Sequence, residues 1–263
     1  MTISHERLER ASKVIAEAME LALRFHRDRT SIATRAKGFQ DFVSEADTAV
    51  EQLVRDRLAE AFPGETVLGE EMGGVADDAY WIVDPIDGTT NFLRGSPLWG
   101  ISLGFVRHGR PELGVVAMPA MGEIYAAADG TGLFLNGTPF VRDTTFEDVR
   151  MMSLGDSAAA EAEDVAALTV GLRHAGWVVQ SIRSTSMGLV FSARGTYDGH
   201  LQKYTTMWDI AGGAVLAREA GLDVRIGTRD GIPYIAAATP ALMAATEPFW
   251  PEIREPELLA AAG

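Results

Sequence analysis

Two carboxylates three positions apart, at the end of an apolar run, are the first chemistry this sequence offers. In WIVDPIDGTTNF, residues 81–92, Asp84 and Asp87 flank Pro85, which fixes the backbone between them and removes an N–H. Gly88 permits a tight turn, and Thr89, Thr90 and Asn91 can open a helix whose free N–H groups point outward. An acid pair beside a cradle for an anion makes sense only if hard cations lie between carboxylate and phosphate. Magnesium suits that place, because it prefers carboxylate, carbonyl and water oxygens. Two further acids fit the scheme. Glu70 follows an apolar run in LGEE, residues 68–71, and Asp209 follows Trp208 at the start of a helical pattern containing Gly212 and Gly213. Glycine inside a helix costs about 1 kcal/mol relative to alanine, so the pair implies close packing against that turn.

Each of these residues also has a plain structural role open to it. Asp84 and Asp87 can cap a turn, Asp209 can be a helix N-cap, and Asp47 can pair with Ser44 in a capping box. Thr90 and Asn91 can simply start a helix, Glu70 can be a solvated loop acid, and Lys37 an ordinary surface lysine. The five histidines show no metal-ligand spacing and read as structural or surface residues.

The elements that must position these groups are legible in outline. Leu8, Ala11, Ile15, Ala18, Ala22 and Phe25 step by three and four, which predicts a first amphipathic helix. A polar loop carrying Lys37 and Gly38 follows. A second helix begins near Ser44 and stops at Phe62-Pro63-Gly64. Residues 66–71 and 80–83 read as strands, the latter ended by Asp84-Pro85. Between 98 and 136, apolar runs alternate with turn residues, as in an antiparallel meander. Beyond 143 the pattern alternates: helix 158–173, strand 177–182, helix 187–194, strand 199–203, helix 209–220. This divides the chain into an α+β half, 1–143, with most of the acidic ligands, and an α/β half, 144–263, that completes a cleft between them.

Composition narrows the function. With 23 basic and 37 acidic side chains among 263 residues, the formal charge is −14, which repels a nucleic-acid backbone. The chain has no cysteine, so disulfides, thiolate nucleophiles and Cys-based metal sites are excluded. No apolar stretch approaches the roughly 20 residues a membrane span needs, and the charged N-terminus lacks a signal-peptide core. The expectation is a cytoplasmic protein acting on a small molecule, with no nucleic-acid polymer and no membrane as partner.

GEE at 69–71, DPIDGTTNF at 84–92 and WDIAGG at 208–213 resemble the three motifs of the inositol monophosphatase family. KGFQDFVSEAD at 37–47 and GTGLFLNG at 130–137 extend the likeness over nearly the whole chain, in the expected order. The resemblance implies a layered αβαβα sandwich shared with fructose bisphosphatases, magnesium dependence, lithium inhibition and a homodimer. It implies that Glu70, Asp84 and the Ile86 carbonyl hold one Mg2+, that Asp84, Asp87 and Asp209 hold a second, and that a third, weaker ion touches Glu70. Backbone at Gly88 and Thr89 would hold phosphate oxygens, and Thr89 with Asp47 would orient a metal-bound water for in-line attack. Two cations about 3.5–4 Å apart clamp both the attacking and the leaving oxygen, so no covalent phosphoenzyme is needed.

The expected activity is therefore hydrolysis of a small polyol or metabolite phosphate, with Asp87, Gly88, Thr89, Thr90, Arg183, Ser184, Thr185 and Gln202 as substrate contacts. Many family members carry a glutamate seven residues before the WD aspartate, where it meets sugar hydroxyls; here that position is Gln202. Arg183, in a region where the family often has a small Gly-Ser pair, can meet a second anionic group. Histidinol phosphate, fructose bisphosphate, a nucleotide 3′-phosphate and a sugar phosphate stay open beside an inositol phosphate. An aspartyl-phosphate mechanism would need Asp-x-Asp spacing, and an EF-hand loop needs acids at every second position; Asp84 and Asp87, three apart with a proline between them, match neither. A non-catalytic regulator that only binds metal or ligand is the alternative from another class.

Overall fold

The computed structural model describes residues 5–38, 41–146, 148–157 and 160–254, with the backbone alone at residues 37, 38, 41 and 254. Helix α1, His5–Arg27, buries Leu8, Ala11, Val14, Ile15, Ala18 and Ala22 along one face, with Phe25 partly buried beside them. Residues 34–38 and 41–44 depart from the expected polar loop. Strands β1, Thr34–Gly38, and β2, Asp41–Ser44, form an antiparallel ribbon with Thr34 opposite Ser44. Cross-strand backbone pairing satisfies such a segment without an apolar pattern, so the sequence carried no signal for it. Helix α2, Glu45–Ala61, opens on a capping box in which Asp47 accepts from the Ser44 N–H.

A seven-stranded sheet follows. Strands β3, Thr66–Gly69, and β4, Ala79–Asp87, pair in parallel. After the short helix α3, Thr89–Arg94, the expected meander runs through β5, Gly100–Arg107, β6, Arg110–Met118, β7, Glu123–Ala128, β8, Leu133–Leu135, and β9, Thr138–Phe140. The strands lie in sequence order, β3 to β9.

The second sheet contains β10, Met151–Leu154, β11, Val178–Gln180, β12, Gly199–Gln202, β13, Asp223–Arg229, and β14, Ile232–Ala238, in the order β11-β10-β12-β14-β13. Helices α4, Ala162–His174, α5, Thr185–Arg194, α6, Met207–Glu219, and α7, Pro240–Thr246, complete the chain. Residues 158 and 159, where the first of these was expected to start, lie outside the described residues. The expected strand 177–182 is only three residues long, because Arg183 turns the chain with φ +57°. The β13–β14 hairpin turns at Asp230 and Gly231, both at positive φ, as a tight two-residue turn requires.

The layers are α1/α2, the seven-stranded sheet, α5/α6, the five-stranded sheet and α4/α7, which is the expected αβαβα sandwich. The glycines of α6 do what their cost implied. A Cβ on Gly212 would sit 2.9 Å from the Leu103 carbonyl, and one on Gly213 would sit 2.6 Å from Leu189. Helix α6 is thereby pressed between β5 and α5, which sets the depth of its first turn, where Asp209 lies.

Candidate active site

In a regular strand, residues three apart face opposite sides. Strand β4 breaks this rule where the chemistry needs it broken. Asp84 lies opposite Ser102 and Asp87 opposite Gly100, so three steps on β4 match two on β5. This one-residue bulge lets both carboxylates reach the same side. The Asp84 Oδ1 accepts the Ile86 N–H at 2.9 Å, closing the turn around Pro85. Gly88 follows at φ +92°, and a Cβ there would lie 3.0 Å from the Arg183 carbonyl and 3.2 Å from Ser184. Only glycine combines that conformation with that approach.

The five-layer packing brings Asp209 onto the same point. Single carboxylate oxygens of Asp84, Asp87 and Asp209 lie within 4.8 Å of one another. Thr206, not Asp209, is the N-cap of α6; Asp209 sits two residues inside the helix and accepts from the Thr205 hydroxyl at 3.2 Å. Glu70, just beyond β3, lines the same cleft of about 510 Å³ with Asp84, Asp87, Gly88, Thr89, Thr90 and Asp209.

The electrostatics of this arrangement favour a cation. Burial, then the charges of Glu70, Asp87, Asp209 and Asp47, push the Asp84 carboxyl well above its ordinary range. Burial, then Asp87 and Glu70, push Asp209 up to about 8. Burial also raises Asp87, against the opposing hydrogen bonds from Ser186 and Ser184. Like charges this close cannot all ionise without a compensating positive charge, and an all-oxygen donor set suits a hard divalent ion. The residues present therefore fit a metal site.

The remaining expected residues are placed as follows. Asp47 is fully buried, and its Oδ1 lies 3.2 Å from the Thr89 hydroxyl while Oδ2 serves the Ser44 cap; the capping box and the contact to Thr89 occupy different oxygens of one carboxylate. Burial lifts its carboxyl to about 6. The Ile86 carbonyl lies 3.1 Å from the same hydroxyl. Asn91 is a structural tie, donating to the carbonyls of Leu98 and Ile182. Arg183 lines the cleft but donates to the Asp156 carbonyl at 2.7 Å. Ser184 and the Ser186 N–H donate to Asp87 at 2.8 and 2.6 Å, so Asp87 links β4 to the start of α5. Thr185 donates to the Gln202 Oε1 at 2.8 Å, and the Gln202 amide donates to the Tyr204 carbonyl at 2.9 Å.

His200 was not singled out by spacing, yet it is part of the cleft wall. Its Nε2 lies 3.1 Å from the Gln202 Oε1 and its Nδ1 lies 3.0 Å from the Ser153 hydroxyl. Burial holds its pKa down at about 4. The neutral ring then donates from Nε2 and accepts at Nδ1, because the Gln202 oxygen can only accept.

The inositol monophosphatase family model matches residues 2–248. The chain belongs to this family. An inositol-1-monophosphatase of Mycobacterium leprae is 35% identical over 239 residues, covering 82% of this chain and 82% of that protein. A fructose-1,6-bisphosphatase/inositol-1-monophosphatase of Thermotoga maritima is 30% identical over 216 residues, covering 82% of this chain and 83% of that protein. Among solved structures, the Thermotoga maritima IMPase superposes with a TM-score of 0.80 at 25% identity, over 95% of this chain and 98% of that one. As a member of the inositol monophosphatase family, the chain is an enzyme of the phosphoric monoester hydrolase class. Among the described residues, no helix is long and apolar enough to cross a membrane.

Proposed function

We propose that this enzyme hydrolyses the phosphate monoester of a small polyol with magnesium, using water rather than a protein nucleophile. The observation that carries the reading is the convergence of Asp84, Asp87 and Asp209 within 4.8 Å, beside Gly88 and Thr89 in a polar cleft. Glu70, Asp84, the Ile86 carbonyl, Asp87 and Asp209 would hold two ions, with a third against Glu70. Bound magnesium supplies Lewis-acid charge for the phosphoryl oxygens and makes water a nucleophile near neutral pH.

The protein's own groups do the rest. Above a pH of about 6, Asp47 is ionised, and the Thr89 hydroxyl proton is drawn towards its Oδ1. That leaves the Thr89 oxygen lone pairs free to accept from water in the cleft and orient it. Backbone at Gly88 and Thr89 receives the phosphate, and Thr90, Arg183, Ser184, Thr185 and Gln202 face the leaving group. Because the Gln202 oxygen and one amide hydrogen are already committed, it offers the substrate one remaining donor and no charge. This supports a neutral hydroxylated leaving group over a cationic one such as histidinol. Homodimer formation and lithium inhibition belong to the same reading.

The test is phosphate release from inositol 1-phosphate, histidinol phosphate, fructose 1,6-bisphosphate and adenosine 3′,5′-bisphosphate, with magnesium or chelator, with lithium as a further arm. Magnesium-dependent turnover highest on inositol 1-phosphate is expected. Turnover that persists in chelator, or highest activity on histidinol phosphate, would overturn the proposal, and sedimentation velocity checks the dimer.

A further inference from the structure

An ion pair between a fully buried carboxylate and a partly buried arginine, outside the cleft, holds the turn that presents Glu70. Glu51, on the inward face of α2, is 0% exposed, a place where a carboxylate is found only when paired. It accepts the backbone N–H of Glu71 at 2.8 Å and of Met72 at 3.1 Å. Arg55, one helical turn on, donates its Nε to the same carboxylate at 2.9 Å. The other guanidinium nitrogens reach the Val67 carbonyl at 3.1 Å and the Gly73 carbonyl. The pair therefore grips the strand before the turn, the two residues directly after Glu70, and the far end of the turn.

Two further features tie Glu70 in place. Gly69 and Gly73 exchange backbone hydrogen bonds at 2.9 and 3.1 Å, and the Glu70 N–H donates to the Val83 carbonyl at 3.2 Å, next to Asp84. Gly69 is required by Glu51 itself, since a Cβ there would come within 2.1 Å of the Glu51 Oε1. Apolar side chains of similar volume generally hold a buried turn at least as stably as an ion pair does. What the ion pair adds is direction: both N–H groups that follow Glu70 converge on one carboxylate.

We propose that Glu51, with Arg55, is a positioning residue that aims the Glu70 carboxylate at the Asp84 cluster. The cation affinity of the site then depends on residue 51, although Glu51 does not line the cleft. This inference rests on Glu70 being a metal ligand. A glutamine at 51 would keep the shape but turn an NH2 group towards one of the two N–H donors.

The experiment is isothermal titration of the full chain with Mg2+ near neutral pH, without substrate, for wild type, Glu51→Gln, Arg55→Lys, Glu70→Gln and Glu51→Gln/Glu70→Gln. Circular dichroism in chelator confirms folding. Glu51→Gln should weaken Mg2+ binding by about 10- to 100-fold, the usual range for groups that orient metal ligands. The double variant should bind no more weakly than Glu70→Gln alone, because Glu51 acts through Glu70. If Glu51→Gln fails to fold, Arg55→Lys, which loses the forked contacts, should show the same weakening. A merely structural role would lower stability and leave Mg2+ affinity unchanged. Glu70→Gln weakened while the folded variants at 51 and 55 bind like wild type, or penalties that add in full, would overturn the positioning role. Unchanged affinity in Glu70→Gln would instead refute the metal assignment beneath it.

Discussion

Replacing Asp209 by asparagine should destroy activity and stabilise the metal-free protein. The carboxyl of Asp209 is pushed up to about 8 by burial, Asp87 and Glu70, from an ordinary value near 3.8. A raised acid binds more protons folded than unfolded, so its ionisation destabilises the fold progressively as pH rises from 3.8 towards 8. At about 1.4 kcal/mol per pH unit, and discounting for its partial exposure and its coupling to Asp87, the cost between pH 5 and 8 is about 2–4 kcal/mol. Asparagine carries no charge and can still accept from the Thr205 hydroxyl. An unfolding entropy of about 2.1 cal/mol/K per residue gives about 0.55 kcal/mol/K for this chain, so Asp209→Asn should melt about 4–7 °C above wild type at pH 8. Differential scanning calorimetry in chelator at pH 5, 6.5 and 8 reads this directly, because contributions common to both proteins cancel. Magnesium at about 100 times its Kd should then raise wild type by about 2.7 kcal/mol and the variant by much less. A variant that is no more stable than wild type at pH 8, or a gap that fails to widen with pH, would refute the reasoning.

Other perturbations probe the rest of the cleft. Gln202→Glu should raise the His200 pKa from about 4, since a carboxylate replaces the amide beside Nε2, and should destabilise by about 1–3 kcal/mol because the Tyr204 carbonyl loses its donor; an imidazole NMR titration and urea unfolding check the two effects. His200 itself stays neutral folded to a pH of about 4 and unfolded only to about 6.5. Its contribution is thus complete above pH 6.5 and lost as pH falls towards 4, worth about 3 kcal/mol. Unfolding of His200→Gln should show a correspondingly smaller loss across that window, and parallel curves would refute it. Gly88→Ala should lower kcat by at least about tenfold, since it strains a positive φ and presses on the Arg183 carbonyl; steady-state kinetics decides. Gly114→Ala places a Cβ 2.0 Å from the Gly212 carbonyl and should lift α6 off the sheet at a cost of about 1–3 kcal/mol, measured by chemical denaturation.

What could be read without a structure was whatever is local or repeated at short range. The Asp84–Asn91 segment was readable because strand end, proline, glycine and helix start are adjacent, and each constrains its neighbour. Helix α1 and the meander were readable because their apolar periods recur within a few residues. The β1–β2 ribbon was not, because exposed backbone pairing leaves no apolar trace. The β13–β14 hairpin carries a local signal of its own in Asp230-Gly231 and the apolar run that follows.

Tertiary structure alone decided three things about the site. Asp209 meets Asp84 only because α6, through Gly212 and Gly213, packs tightly between β5 and α5. Gln202, expected to meet a substrate hydroxyl, is also tied into the Ser153–His200–Gln202–Thr185 network, whose members come from β10, β12 and α5. Glu51 and Arg55 emerged as the grip on the Glu70 turn, roughly twenty residues away along the chain. The physical reason is common to all three: residue type and spacing report a group's chemistry and local backbone, whereas charge, hydrogen-bond commitment and aim depend on neighbours that only the packing of the layers supplies.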